Sequence, residues 1–463
     1  MANLSRRNFV KNLTAASAAS TVGFPSIIRS QGLNEKLQVG FVAVGGRAGA
    51  HTMASHEAGL QCIAFAETDK TRWKGVHDKE GWKEAAGYTD WREMFKKHGE
   101  ELDVVFVSTP DHTHFAPSMT AVSMGIHCYT EKPLTWSVKE AQLLTAAHKA
   151  NPGVVTQMGN QGHSMQGWRI AYEYIKAGAL GDITEFHTWT NRPVWPQGAG
   201  RPAGNDPVPD HLDWDSWIGP APMRPYVAKH PKTGKNAYHS FSWRGYVDFG
   251  TGALGDMACH TTDGIYAIMN PGYAATAEPL EMTAPVDDQW PAGMKVKCTY
   301  RATDERPGFA TYWYEGQKDG VPYKPENPEE LASEGRKLPR TGNLVIGTKG
   351  KMLVTGDYWN SPQLIPSKRR SEFGKPEQLL ERSPGHHAEF FMACRGEKPR
   401  EFSQSNFSYS GPMTANIQLG NLCARAGKKL ELNEEGVITN HPEVNKLADR
   451  TPREGWGPLV QKI

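Results

Sequence analysis

Tyr129-Thr130-Glu131-Lys132-Pro133 closes a run that opens with Val104-Val105-Phe106-Val107 and passes through Pro110-Asp111-His112-Thr113-His114. Four successive large apolar residues with no polar alternation read as a strand buried on both faces. A second such strand leads into Lys132, and Pro133 fixes the backbone as the chain leaves it. Open parallel sheets bind their ligands outside the carboxyl ends of the strands, where this places Lys132. A Lys-Pro pair also ends strands in ordinary surface turns, so the weight of the reading comes from its surroundings.

Outward from this run, strands are expected over residues 37–44, 61–66, 104–107, 126–129 and 154–158, with helices between them, including 115–124 and 138–149. That alternation is the βαβ rhythm of a doubly wound α/β domain with a parallel sheet. The first turn reads Ala43-Val44-Gly45-Gly46-Arg47-Ala48-Gly49, a dinucleotide fingerprint with Ala43 in place of its first glycine. Gly45, Gly46, Arg47 and Ala48 would let a pyrophosphate approach the amides at the helix start. Glu67 ends the second strand roughly twenty residues on, where an acidic side chain accepts from the adenosine ribose hydroxyls. A carboxylate there repels a 2′-phosphate, so NAD is favoured over NADP, and the nearby Arg72 tempers the preference.

The chain has 463 residues, more than one core usually serves, so two domains are expected. Its net charge of +2 makes no electrostatic case for nucleic acid or an anionic membrane surface. Cys62, Cys128, Cys259, Cys298, Cys394 and Cys423 are widely spaced with no C-x-x-C pair, so neither a zinc site nor a dithiol motif is indicated. Ser5-Arg6-Arg7-Asn8-Phe9-Val10-Lys11, followed by a mild Ala/Ser-rich stretch, matches a twin-arginine export signal. Residues 1–32 are therefore read as signal and linker, the export machinery as a partner and the periplasm as the location. No later run is apolar enough for a membrane helix, so no membrane association is expected of the mature form.

The nucleotide domain is drawn over 36–158 and a second domain over 159–463. Residues 166–176 carry Trp168, Ala171, Tyr172 and Ile175 at helical spacing, and 183–190 alternate like a half-exposed strand. Residues 191–252 interleave Trp195, Trp214, Trp217 and Trp243 with arginines that include Arg192, Arg201 and Arg244. Aromatic faces beside guanidinium groups suit carbohydrate, and the same tryptophans could equally pin a long loop to the body. In Gly255-Asp256-Met257-Ala258-Cys259-His260-Thr261-Thr262-Asp263, a helix would put Asp256 and His260 on one face, where the carboxylate could fix the imidazole tautomer. A structural Asp–His pair and a metal site completed by His163 or His239 are the alternatives.

Together the first turn, Thr109-Pro110-Asp111-His112-Thr113-His114, Glu131-Lys132-Pro133, Gly159-Asn160-Gln161 and the Asp256…His260 stretch resemble the Gfo/Idh/MocA oxidoreductases over nearly the whole chain after the signal. The resemblance implies a Rossmann domain followed by an α/β domain with an open, mainly antiparallel sheet that often mediates oligomerisation. It also implies a closing helix and strand over 412–432. Lys132 would bond the reacting hydroxyl, His260 would take its proton and Asp256 would orient His260. Thr109, Pro110, His114, Glu131 and Asn160 would belong to the cofactor site. Gln161, His163, Arg192, Trp195, Trp243, Arg244 and Asp263 would face substrate, and no metal ligands are assigned. The implied activity is NAD-dependent oxidation of a secondary hydroxyl on a sugar, cyclitol or glycoside by a homo-oligomer. A redox-neutral, NAD-dependent glycoside hydrolase working through a 3-keto intermediate is the first alternative, and a metal-assisted glycoside-cleaving enzyme the second.

Overall fold

The computed structural model describes residues 36–463; the export signal expected over 1–32 lies outside the described residues. Six parallel strands form the first sheet in the order β3-β2-β1-β4-β5-β6. They are β1 (Gln38–Val42), β2 (Gln61–Ala66), β3 (Ala86–Tyr88), β4 (Val104–Val107), β5 (His127–Thr130) and β6 (Thr156–Met158). Every residue of β4 is fully buried, and each such side chain contributes about 2 kcal/mol of apolar burial. β3 escapes the sequence reading because Ala-Gly-Tyr is short, half-buried and without an apolar run.

Strand order reverses at β1 and β4, and the crevice at that switch point is where an open α/β sheet binds ligands. Ala43 follows β1 directly with φ +73°, a left-handed conformation that favours glycine, and Gly46 adopts φ +56°. The helix Ala48–Glu57 then begins, so the turn presents its amides at a helix start. Glu131 and Lys132 follow the last residue of β5 immediately. The helix Val138–Ala150 starts in a capping box, with Ser137 accepting from Glu140 N and the Glu140 carboxylate accepting in return.

The second sheet has nine strands. β7 (Ile183–Trp189) pairs in parallel with β10 (Phe309–Lys318), and all its other ladders are antiparallel. β8 (Thr276–Met282) and β9 (Gly293–Tyr300) lie on one side of β10, with β15 (Leu430–Glu431) beyond β8. β12 (Gly342–Gly347), β13 (Gly350–Thr355) and β14 (Ser361–Ile365) continue from β7, and β11 (Val321–Pro322) pairs with β10. The closing helix runs over Phe407–Ala426, with Pro412 inside it, so it starts ahead of the expected 412. Its start is set by the Asn406 side chain, which accepts from Ser408 N. Gly411 lets this helix touch the Val138–Ala150 helix, since an added Cβ would collide with Thr145 Oγ1. Thr145 Oγ1 donates to Phe407 O at 3.3 Å, so the long helix is tied to the Rossmann domain.

Candidate active site

A cavity of about 580 Å³ opens between the two sheets' domains. Its Rossmann wall carries Gly45, Gly46, Arg47, Glu67, Thr109 and Pro110, and Glu131 and Lys132 line its centre. From the second domain come Asp256 and His260, on the fully buried helix Gly252–Thr261. Arg192, Trp195, Trp243 and Arg244 line the far wall, and Gln161 reaches it from the loop after β6.

Lys132 is where its strand-end position predicts. Its Nζ donates to Asp256 Oδ1 at 2.8 Å and to Asp256 O at 3.0 Å. Burial presses the Lys132 ammonium towards neutrality, but the charge and bond of Asp256, with the charge of Glu131, together outweigh it and the pKa is raised. Burial would likewise raise the Asp256 carboxyl, whereas Lys132 and Arg244 hold it far below the usual range. His260 is pushed down to about 3, first by burial and then by the Lys132 charge. Its Nδ1 is buried and has no hydrogen-bond partner among the described residues.

This geometry corrects one expectation. Asp256 does not orient His260: Oδ1 accepts from Lys132 and from Arg244 Nε, the latter at 2.9 Å. Two cations compete more strongly for a buried carboxylate than a neutral imidazole does. The ligands of the metal alternative are also separately engaged, with His163 on Asp263 and His239 on Asp69.

Glu67 lines the cavity, and its carboxylate also ties the turn together. Oε2 accepts from Val44 N at 3.0 Å and Gly45 N at 3.1 Å, and Oε1 from Asp69 N at 3.0 Å. Backbone amides left without a partner in a buried turn would be costly, and Glu67 satisfies them. Glu131 is a second clamp. Its Oε1 lies 2.8 Å from His51 Nε2 and accepts from Arg47 Nε at 3.3 Å, while Oε2 accepts from Lys132 N at 3.1 Å. Burial raises the Glu131 carboxyl, but the bond and charge of His51, with Arg47, bring it well below the ordinary value.

Four expected site residues stand behind the cavity, and Ala48 is buried in the first helix turn. The His114 ring bridges Pro133 O at 2.7 Å and Thr109 O at 2.8 Å, joining the two motifs that flank the cavity. Asn160 Nδ2 donates to Asp263 Oδ1 at 2.8 Å, and His163 Nδ1 lies 3.1 Å from the same oxygen. Asp263 also accepts from Tyr409. These groups are almost wholly buried, so they hold the loop carrying Gln161 rather than face a ligand. Trp214 stacks on Trp217 with ring centroids 4.7 Å apart, and of the pair only Trp217 reaches the cavity.

Several lining residues were not assigned to the site from the sequence, where His239 figured only as a possible metal ligand and Arg72 only as tempering the cofactor preference. Asp357 and Tyr358 arrive on the β13–β14 loop, anchored by Trp359 Nε1 donating to Thr261 O at 2.7 Å. Ser216, His239, Ser240 and Phe241 come from the Trp-rich segment, and Arg72 from the chain after β2.

NAD fits the residues present. The buried Ser108 Oγ, Thr109 Oγ1 and Gln161 Oε1 have no partner among the described residues and belong to residues lining the cavity. The open, left-handed Gly46 leaves the turn's amides approachable, since an added Cβ there would meet nothing within 4 Å. With the Gly45 amide engaged by Glu67, Gly46 and Arg47 would hold the diphosphate, with Thr109, Pro110 and Glu131 farther along the cleft.

Comparison with known proteins agrees with this architecture. The NAD-binding Rossmann-fold model of an oxidoreductase family matches residues 37–158, and the C-terminal alpha/beta domain model of the same family matches 181–306. In fold, the chain resembles the WlbA dehydrogenase from Bordetella pertussis in complex with NADH and UDP-GlcNAcA. The TM-score is 0.58 at 14% identity, covering 86% of this chain and 99% of that one. A 2,7-anhydro-N-acetylneuraminate hydratase of Escherichia coli is 30% identical over 95 residues, 20% of this chain and 25% of its own. Inositol 2-dehydrogenase 1 of Saccharopolyspora erythraea is 26% identical over 153 residues, 33% of this chain and 44% of its own. The chain thus spans a quarter to under a half of the length of these two relatives. With both matched domains in sequence order, and together more than half of its length, the chain belongs to the Gfo/Idh/MocA family of oxidoreductases.

Proposed function

We propose that this protein uses NAD to oxidise a secondary hydroxyl of a sugar, cyclitol or glycoside. The observation that carries the reading is the pairing of a cationic Lys132 with a neutral His260 on one cavity beside a dinucleotide turn. NAD, when bound, supplies the hydride acceptor. Lys132, kept charged by Asp256, stabilises negative charge as it develops on the substrate oxygen. His260, kept neutral by burial, accepts the hydroxyl proton on its basic ring nitrogen. Arg244 Nε donates to the same Asp256 Oδ1 that accepts from Lys132, which holds that oxygen between the two cations.

Carbohydrate as the substrate class rests on the far wall. The Arg244 guanidinium lies 4.3 Å from the Trp243 ring centroid and 4.6 Å from that of Phe241, which is 47% exposed. Sugars stack on such aromatic faces while guanidinium groups bond their hydroxyls. We also propose a nucleotide domain over 36–158, a substrate domain over 159–463, twin-arginine export to the periplasm and assembly through the open second sheet. The export proposal rests on Arg6-Arg7 and its flanking sequence.

A second reading is redox-neutral glycoside cleavage through a 3-keto intermediate, favoured by the hydratase among the relatives. The same Lys132 and His260 would serve oxidation, and a base facing the ketone could remove the proton on the neighbouring carbon. A panel of sugars and aryl glycosides separates the two. Stoichiometric NADH marks the dehydrogenase, and released aglycone without net NADH marks the redox-neutral enzyme. A folded, NAD-loaded protein that acts on neither group contradicts both.

A further inference from the structure

On the second domain's wall of the cavity, one ion pair stands apart from the groups that serve the chemistry. Arg192 follows β7, and its Nη2 lies 3.8 Å from Asp357 Oδ2 on the β13–β14 loop. Both residues line the cavity, with side chains 27% and 24% exposed, so the pair is open to a ligand rather than sealed in the core. At 3.8 Å the two groups attract without a hydrogen bond, which leaves donors on the guanidinium and acceptors on the carboxylate.

Each partner is fixed from behind. Arg192 O accepts from Gly316 N on β10 at 2.8 Å, and Arg192 Nη1 donates to Asn191 Oδ1. Asp357 directly precedes Tyr358, whose ring meets the His260 ring edge-on with centroids 4.8 Å apart. Next comes Trp359, 1% exposed, whose Nε1 donates to Thr261 O at 2.7 Å. The loop is thus pinned to the helix that carries His260, which holds Asp357 near the reacting end of the cavity.

The charges around this end are already matched. Lys132 and Arg244 share Asp256, and Asp357 answers Arg192. A sugar hydroxyl suits the Arg192–Asp357 pair, since its oxygen accepts from the guanidinium while its hydrogen goes to the carboxylate. A substrate carboxylate suits half of it: its oxygens could accept from Arg192, but it has no proton for Asp357 and meets a like charge there.

We propose that Asp357, by occupying Arg192, makes this an enzyme for uncharged sugars or glycosides and turns away those that carry a carboxylate. This rests on the carbohydrate reading above and narrows it. Selection works by repulsion as well as attraction, with Asp357 as the repulsive element.

The test runs each hexose and hexoside of the panel beside its uronate or uronide, in which a carboxylate replaces the primary hydroxyl. Wild type, Asp357→Asn and Arg192→Gln are compared, with both reduced nicotinamide and released aglycone followed. The wild type should favour the neutral member of a pair by at least about tenfold in kcat/KM. Asp357→Asn keeps the shape and frees Arg192, so it should narrow that ratio by at least about tenfold, mainly through a lower KM for the acid. Arg192→Gln leaves Asp357 unpaired and should widen the ratio. A loosened loop would lower both members of a pair alike and would not move the two variants in opposite directions. Thermal unfolding checks each variant; should Asp357→Asn not fold, Asp357→Ser, which also removes the charge, must narrow the ratio. A wild type that prefers the acid, or a folded Asp357 variant with an unchanged ratio, overturns the proposal and leaves the carbohydrate reading standing. An NAD-loaded wild type that acts on neither member of any pair overturns that reading, and the proposal with it.

Discussion

Replacing Asp256 with Asn removes the carboxylate that Lys132 Nζ and Arg244 Nε share, while leaving the side chain's shape nearly intact. The Lys132 and Asp256 side chains are 14% and 11% exposed, so water replaces little of the lost interaction. Removing one partner of a buried ion pair costs about 3–5 kcal/mol, because the other charge stays desolvated. The pH window follows from the signs of the two shifts. Asp256 is depressed, so its contribution is present above its ordinary pKa and lost as pH falls through the folded value. Lys132 is raised, so its contribution is present below its ordinary pKa and lost as pH rises through the folded value. Urea unfolding between about pH 5 and 9 should therefore report the full loss. In catalysis the variant leaves Lys132 with burial and Arg244, both of which favour its neutral form. The basic limb of the kcat/KM profile should move to lower pH, and a loss of about 3 kcal/mol of transition-state stabilisation would slow the reaction roughly a hundredfold. A variant less than about 1 kcal/mol destabilised, with its basic limb unmoved, would refute the argument, since that is the scale of an exposed pair.

Ala43→Gly should stabilise the fold by about 1 kcal/mol, because Ala43 sits at φ +73° where glycine carries no Cβ penalty. Thermal unfolding would show it as a rise of roughly 2 °C, and an unchanged or lowered Tm would count against strain in the turn. Acid should unfold the protein well before its carboxylates titrate. His112, His260 and His387 are each pushed down to about 3, in every case first by burial, and His148 to about 4. Their contribution is complete above the ordinary histidine pKa and declines below it by about 1.4 kcal/mol per pH unit per group. Urea midpoints that stay level from pH 7 to 5 would contradict this. His260→Gln removes the proton acceptor and should lower kcat about a hundredfold or more while leaving NADH affinity within a few-fold of wild type. Unimpaired turnover of a true substrate would remove His260 from the chemistry.

The Rossmann strands were legible because strands covered on both faces must be continuously apolar, as in Val104–Val107. Much of the second sheet was not, because strands such as Thr276–Met282 and Ser361–Ile365 carry a proline, Pro279 and Pro362, that speaks against a strand in a sequence reading. Lys132 was readable from its strand end. Asp256 was assigned the wrong partner because helical spacing sees His260 four residues on and is blind to a lysine 124 residues earlier. Glu67 was placed on the cavity from the fingerprint, which marks where a carboxylate lies but not which turn amides it satisfies. Tyr358 and His239 carried no local pattern, since only tertiary pairing brings their loops to the cavity.

The most direct test of the account is a single turnover of the wild type and Lys132→Ala at saturating NAD, with a substrate drawn from the sugar and glycoside panel and nicotinamide absorbance followed. The account predicts that reduced nicotinamide appears in the wild type, lasting in a dehydrogenase and transient in the redox-neutral case. In Lys132→Ala, its formation should be slowed by at least about two orders of magnitude. Turnover by a folded Lys132→Ala protein at the wild-type rate would contradict it.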